Sequence, residues 1–438
     1  MRYALVNPRW SFEGSTYFGC PEPHFPLELL YAQQTLRKAG HEVKLVDAFM
    51  ESLGPEEVLG RLAGFDEDFL VVPTAPSYLF WRCPQPELRV PRQWVAALRS
   101  RSRKVVIGPH GSATPRATLA KTGADVVLRG EPDQTLPQLA SAPWETIAGC
   151  CWRDASGTTH SGQGLGVTEM RAMETLDYSE YPVELHRHKH HIFPGNGADH
   201  LKLGAEMEFA RGCPYSCTFC NKTLFRNRFR QRDVNTVLTE IDALIERGVD
   251  YIYFIDEIFG VGREVKTLLE EIARRPIAIG FQSRIDLWTE ESLELLGRAH
   301  CISFECGIES ITEVGRASLN KNCRLSTDAI TQLLVIARQH IPWVQANLIK
   351  TVNDDPKQIA AWQDGLKAEG VWVSEPVPMF PFPGSPEYVE TFGASPDESA
   401  WERAHDFYLR LFAARGYSDV QEQHPRPLAE LEREACVF

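Results

Sequence analysis

Cys213, Cys217 and Cys220 lie in the segment ARGCPYSCTFCNK with C-x3-C-x2-C spacing. Soft thiolates gathered in so short a loop are iron–sulfur ligands in type and spacing. A [4Fe–4S] cluster ordinarily takes four, so three cysteines leave one iron open to a non-protein ligand. A structural zinc site would want a fourth Cys or His nearby, but the next cysteine is Cys301. Three buried structural thiols are the remaining reading, since free cysteine is among the most buried residue types. Gly212 and Pro214 mark a turn and the strand-like run Met207–Ala210 leads into it, which favours the open cluster loop.

A loop of this kind needs a rigid frame. From Leu201 onward the chain alternates strand-like and helical stretches. A helix is predicted over 233–247, with an apolar stripe through Val234, Val237, Leu238, Ile241, Leu244 and Ile245, an Asp233 cap and a Gly248 stop. Strands are predicted at Tyr251–Ile255, Ile277–Phe281, Ile302–Cys306, Val344–Ile349 and Trp372–Val377. With Met207–Ala210 these make six β/α units, a partial barrel whose site would lie at the carboxyl ends of its strands. There stand Asp256-Glu257, then Gln282-Ser283-Arg284, Gly307-Ile308-Glu309-Ser310, and Pro381-Phe382-Pro383-Gly384-Ser385. For Asp256 or Glu309 the plainer role is helix capping.

The first 140 residues alternate in the same way, with strands predicted at Tyr3–Val6, Glu42–Val46, Phe69–Val72, Lys104–Ile107 and Asp125–Leu128. The helical stretch PLELLYAQQTLRKAG between the first two stops at Gly40. Short, continuously apolar strands separated by helices read as a doubly wound parallel sheet, with ligands at its carboxyl edge. That edge carries Asn7, Asp47, Thr74, Ser77, Gly108, His110, Gly130 and Glu131, small or polar residues that let backbone approach a large flat ligand. Each taken singly is a turn residue.

The cysteine loop resembles the signature of the radical S-adenosylmethionine (SAM) superfamily, and GIES (307–310) resembles its phrase beside SAM. The first 140 residues, through GHEVKLVDA and GADVVLRGE, resemble the cobalamin-binding domain that precedes many such cores. The whole is therefore similar to class B radical SAM methyltransferases. The fold implied is α/β: a flavodoxin-like cobalamin-binding domain (1–140), a linker (141–200), a partial (β/α)6 radical SAM core (201–388) and a helical extension (389–438).

The resemblance implies a [4Fe–4S] cluster on Cys213, Cys217 and Cys220, with SAM chelating the open iron. It assigns Asp256 and Glu257 to the SAM amino group, Gln282, Ser283 and Arg284 to its carboxylate, and Glu309 and Ser310 to its surroundings. It assigns the eight edge residues of the first domain to cobalamin. Two departures stand out. No D-x-H-x-x-G segment is present, so the lower face of cobalt is expected without a histidine ligand, with Tyr78 or Trp81 as candidates to cover it. The fifth strand ends in Leu348–Asp355, LIKTVNDD, where relatives have a glycine-rich turn, so the adenine side is unassigned. The implied reaction is methylation of an unactivated small-molecule carbon, fed by a one-electron donor such as flavodoxin or ferredoxin. A radical rearrangement or cyclisation, and a non-catalytic cobalamin-responsive protein, are the alternatives.

Composition sets the outer limits. The 438 residues suffice for two or three cores, and a formal net charge of −13 argues against general nucleic-acid binding. Eleven cysteines without a paired framework indicate a reducing compartment, and no signal peptide or run of about 18 apolar residues appears, so a cytoplasmic protein without a membrane partner is expected. Trp152–Gly157 reads as a turn between two strands. The histidines of HRHKHHIFPGNGADH (His186, His188, His190, His191 and His200) read as a solvated linker, with a lining of the substrate entrance as the alternative and a metal site ranked below both. WERAHDFYLRLFAARG reads as an amphipathic helix in a lid or packing element, and no second cysteine cluster is present.

Overall fold

The computed structural model describes residues 1–16, 22–77, 84–189, 201–413 and 424–434; Tyr78, Trp81, His190, His191 and His200 lie outside them. Two compact units emerge. One comprises Met1–Glu169, Cys220–Asn227 and Phe380–Phe438; the other comprises Met170–Phe219 and Arg228–Met379.

The first unit is built on β1 (Arg2–Asn7), β2 (Glu42–Asp47), β3 (Phe69–Pro73), β4 (Arg103–Ile107) and β5 (Val126–Leu128). They run parallel in the order β2-β1-β3-β4-β5, the flavodoxin-like arrangement. The apolar runs ALV and FLVV are buried because helices cover both faces, and Val6, Val46, Leu70, Val72, Trp94, Val106 and Leu119 share one core. The helix Leu27–Lys38 ends where Gly40 takes φ +81°.

Residues 141–169 do more than connect. β6 (Cys150–Arg153) pairs antiparallel with β5, and β7 (Thr159–Ser161) pairs antiparallel with β6, so the expected hairpin extends the parallel sheet to seven strands. Carboxyl-terminal residues complete the same unit. Phe380, Phe382, Tyr388, Trp401, Ala404, Tyr408 and Leu428 form a second core, with Ala113 packed on it, and the helix Ala400–Ala413 realises the predicted amphipathic stretch. Arg426 N donates to Gly14 O at 2.8 Å, Gln93 Nε2 donates to Glu434 O at 2.6 Å, and Lys121 pairs with Glu432 at 2.9 Å.

The second unit holds β8 (Arg187–Lys189), β9 (Leu201–Met207), the small pair β10 (Ala210–Arg211) and β11 (Arg230–Gln231), then β12 (Tyr251–Phe254), β13 (Ala278–Ser283), β14 (Cys301–Glu309), β15 (Trp343–Leu348) and β16 (Trp372–Val373). The large sheet runs β16-β15-β14-β13-β12-β9-β8, with β9 and β12 to β16 parallel and β8 antiparallel at the edge. Five of the predicted parallel strands are thus present, the last shortened to Trp372–Val373. The first parallel strand is Leu201–Met207 and not the expected Met207–Ala210, whose Ala210 pairs with Gln231 in the small antiparallel sheet.

Period-two alternation divides this sheet into unlike faces. Ile252, Phe254, Ile279, Phe281, Phe304, Val344 and Ala346 occupy one face, where Phe254, Phe281 and Phe304 join Phe259 and Trp288 in an aromatic cluster. The strand register sets Glu206, Tyr253, Gln282, Glu305 and Gln345 on the other. The helix Val234–Glu246 starts as expected: Asp233 accepts from Asn235 N and Thr236 N, a cap worth about 1 kcal/mol.

The solvated-linker reading fails at the start of the histidine run. His186 is fully buried and His188 is half-buried, because β8 adds to the sheet edge and carries both rings onto the polar face.

Candidate active site

The cysteine loop begins where two carboxylates seize its backbone. Asp256 follows β12 and accepts from Phe209 N at 2.8 Å and Ala210 N at 2.9 Å. Glu257 accepts from Gly212 N at 2.8 Å, one residue before Cys213. Burial pushes the Asp256 carboxyl well above its ordinary range, against the two amides that favour its charged form. Neither Asp256 nor Glu309 caps a helix. The pair Asp256-Glu257, expected at the SAM amino group, holds the chain leading into the cysteines, and Gly212 can take that course because its φ is +82°.

The middle of the loop is held from the next strands. The Arg284 guanidinium lies 3.9 Å from the Tyr215 ring centre and forms a paired salt bridge with Asp286 at 3.0 and 2.6 Å. Thr218 N donates to Leu319 O at 3.0 Å, and Asn320 Nδ2 donates to Ser216 O at 2.7 Å. Asn320 sits at φ +49°, a left-handed position that Asn tolerates better than most residues. The phrase SLNKN, with two Asn residues in one turn, was the available sequence signal for this clamp.

Cys213, Cys217 and Cys220 are all half-buried, whereas Cys150, Cys151, Cys301 and Cys306 are buried. Burial raises the Cys217 thiol, while Lys321 and Arg284 pull it down. Cys150 is pushed up to about 12 by burial, and Cys306 well above its ordinary value, which marks them as inert core thiols. Three accessible soft donors in one loop, with cations beside Cys217, fit an anionic iron–sulfur centre. No second set of this kind occurs among the described residues.

The GIES turn is braced from below. Glu309, at φ +68°, receives a salt bridge from Lys321 at 3.0 Å. Ser310 Oγ donates to Asp354 Oδ1 at 2.8 Å, and the same carboxylate accepts from Thr312 and Thr351. The divergent turn after β15 thus supports the turn after β14. Gln282 donates to Glu305 at 2.7 Å on the polar sheet face.

At the carboxyl edge of the first unit, Asn7 Nδ2 donates to Asp47 Oδ1 at 2.8 Å, and Asn7 Oδ1 accepts from Trp10 Nε1 at 3.1 Å. Ser77 Oγ donates to Glu28, and Glu131 accepts from Thr168 N at 3.1 Å. Gly130, at φ +78°, has no room for a side chain, since a Cβ would meet Gly166 O at 2.5 Å. Gly108 turns the chain at φ +124° into Pro109 and His110. Thr74 Oγ1 is buried at this edge without a hydrogen-bond partner among the described residues, a polar atom suited to a bound ligand. His110 is fully buried, stacked on Trp401 at 4.4 Å, with Nε2 2.8 Å from Gln85 O. A carbonyl only accepts, so Nε2 carries the proton, and burial lowers this histidine to about 3.

Comparisons with known proteins agree with this layout. Residues 20–140 match the B12 binding domain and residues 207–362 match the Radical SAM superfamily. The chain is 23% identical over 321 residues to an uncharacterized methyltransferase of Pyrococcus horikoshii, covering 71% of this chain and 66% of that one. It is 23% identical over 385 residues to the anaerobic magnesium-protoporphyrin IX monomethyl ester cyclase of Rubrivivax gelatinosus, covering 84% of this chain and 67% of that one. The fold is similar to that of the radical SAM methyltransferase TsrM from Kitasatospora setae, with TM-score 0.67, 18% identity, and coverage of 89% of this chain and 75% of that one. That structure holds tryptophan substrate and a SAM analogue. With the cysteine loop at the head of a six-stranded parallel sheet and a 2-1-3-4-5 sheet before it, this chain belongs to the radical SAM superfamily, in the group that carries an amino-terminal B12 binding domain.

Proposed function

We propose that this protein is a cobalamin-dependent radical SAM enzyme that methylates an unactivated carbon of a small molecule. The observation that carries the reading is the pairing, in one chain, of a B12 binding domain over 20–140 with a radical SAM core over 207–362 whose three loop thiols are accessible. When bound, the cluster with SAM would supply a carbon-centred radical that abstracts hydrogen from the substrate, and cobalamin would supply a methyl group that the resulting carbon radical can accept. The chain's own residues bind and orient. Cys213, Cys217 and Cys220 hold the cluster; Asp256, Glu257, Tyr215 and Asn320 fix the loop that presents them. Arg284, with Asp286 as its fixed partner, offers a cationic face for the SAM carboxylate. Thr74, Gly108 and Gly130 shape the cobalamin edge. A one-electron donor such as a flavodoxin or ferredoxin completes the system.

Radical cyclisation is the second reading, favoured by similarity over 84% of this chain to a cyclase. The two part on the fate of the SAM methyl group. Reduced, reconstituted protein is incubated anaerobically with SAM bearing a deuterated methyl group and a metabolite extract. Methylation places the label in a new product, with S-adenosylhomocysteine and 5′-deoxyadenosine formed together. A new product without label, accompanied by 5′-deoxyadenosine alone, would overturn methylation in favour of cyclisation.

A further inference from the structure

On the polar face of the second unit's sheet, where the edge strand β8 lies beside β9, three metal-ligand side chains converge. His186 Nε2 lies 3.2 Å from Glu206 Oε2, and His188 Nδ1 lies 3.6 Å from Glu206 Oε1. Ligand atoms from all three residues lie within 4.8 Å of one another. Glu206 is fully buried, as is His186, while His188 retains 11% side-chain exposure. We propose that His186, His188 and Glu206 bind one divalent cation of the zinc class.

The tautomer is the first reason. His186 Nδ1 lies 2.7 Å from Gly204 O, and because a carbonyl only accepts, Nδ1 carries the proton. In a neutral ring the Nε2 lone pair then faces the Glu206 carboxylate. A positive charge between two such acceptors, either a proton or a metal ion, turns their opposition into attraction. Metal-bound histidines typically donate their other ring N–H to a carbonyl or carboxylate in this manner.

Distance separates those two cations. A shared proton between imidazole and carboxylate draws N and O to about 2.7–2.9 Å. Donors bound to one tetrahedral ion at about 2.1 Å sit about 3.4 Å apart. The 3.2 and 3.6 Å separations bracket the second value. The ligand types, two imidazoles and one carboxylate, suit zinc or iron(II) better than the oxygen-seeking cations.

The backbone is shaped for the site as well. β8 pairs antiparallel with β9, setting His188 opposite Lys202, and Gly204 is the residue between Leu203 and Ala205 on β9. A Cβ at Gly204 would fall 2.6 Å from His188 Cβ, so only glycine admits the ring there. Tyr251 and Tyr253 flank the His188 ring, with centroids 4.7 and 5.9 Å away. The site thus ties the edge strand to the strand that leads toward the cysteine loop.

Full-length protein, reconstituted anaerobically, is stripped with a chelator, equilibrated with Zn2+ and analysed for zinc and iron together. One zinc per chain is expected, with binding weakened at least roughly tenfold in Glu206→Gln and His186→Gln. Iron content, unchanged in the same variants, separates this site from the cluster. Equal zinc in wild type and both variants, or no stoichiometric zinc, overturns the proposal. X-ray absorption at the zinc edge of the wild type covers the case of a variant that does not fold. Nitrogen and oxygen ligation supports the site, and sulfur ligation sinks it.

Discussion

The Arg284 guanidinium lies 3.9 Å over the Tyr215 ring, at the midpoint between Cys213 and Cys217. A cation on an aromatic face is worth about 0.5–2 kcal/mol, more when desolvated. Asp286 fixes the guanidinium from the other side, so the loop between two thiols is braced by the end of β13 rather than by its own turn. The residue expected to meet the SAM carboxylate is thereby also one that shapes the cysteine loop.

The first prediction concerns the thiols. Cys213→Ala, Cys217→Ala and Cys220→Ala combined should abolish the about four irons and four sulfides per chain expected of one [4Fe–4S] cluster. Cys301→Ala and Cys306→Ala, at buried thiols, should leave iron content intact. A full cluster in the triple variant would overturn the assignment.

Glu257 gives a graded test. Glu257→Ala removes the acceptor of the Gly212 N–H, a charged hydrogen bond worth about 1.5–3 kcal/mol. Iron retention on anaerobic gel filtration should fall severalfold, and Glu257→Gln, which keeps an acceptor oxygen, should restore most of it. Wild-type retention in Glu257→Ala would show that this hydrogen bond does not position the loop.

His110 yields two linked outcomes. Its Nε2 is committed to Gln85 O and its ring to Trp401, so His110→Ala should leave the cob(II)alamin electron paramagnetic resonance spectrum without any change in nitrogen coupling. Loss of a nitrogen pattern in the variant would make His110 a cobalt ligand. The same burial sets a pH dependence. The folded histidine titrates near 3 and the unfolded one near 6.5, so as pH falls through 6.5 the unfolded chain takes up a proton that the folded chain refuses. Stability attributable to this group is complete above about 6.5 and is lost by about 1.4 kcal/mol per pH unit below it, down to about 3. His110→Gln should flatten the dependence of the unfolding midpoint between pH 6 and 4, by roughly that per-unit amount. An unaltered slope would contradict the buried, neutral ring.

The strands and their connections were readable because apolar runs such as ALV, FLVV and YIYF occur at βα spacing, and a parallel sheet buried on both faces demands such runs. Asp233 and Gly40 were readable for the same local reason: a cap or a left-handed stop depends on neighbouring residues alone. The clamps on the cysteine loop were not. Asn320 reaches Ser216 across 104 positions, and Asp256 reaches Phe209 across 47, so only the assembled sheet brings them together. His186 was misread because a histidine-rich segment is polar by composition. It is the pairing of β8 with β9, beside a buried Glu206, that takes it out of water.

The discontinuity of the first unit bears on the order in which the protein can be made. Its sheet is translated within the first 161 residues, yet Gly14, Gln93, Ala113 and Lys121 await partners between Phe380 and Glu434. While the second unit emerges from the ribosome, the surface destined for Trp401, Tyr408 and Leu428 has no cover. Released chains that stop short of Phe380 would expose that surface permanently, making interrupted synthesis a route to aggregation.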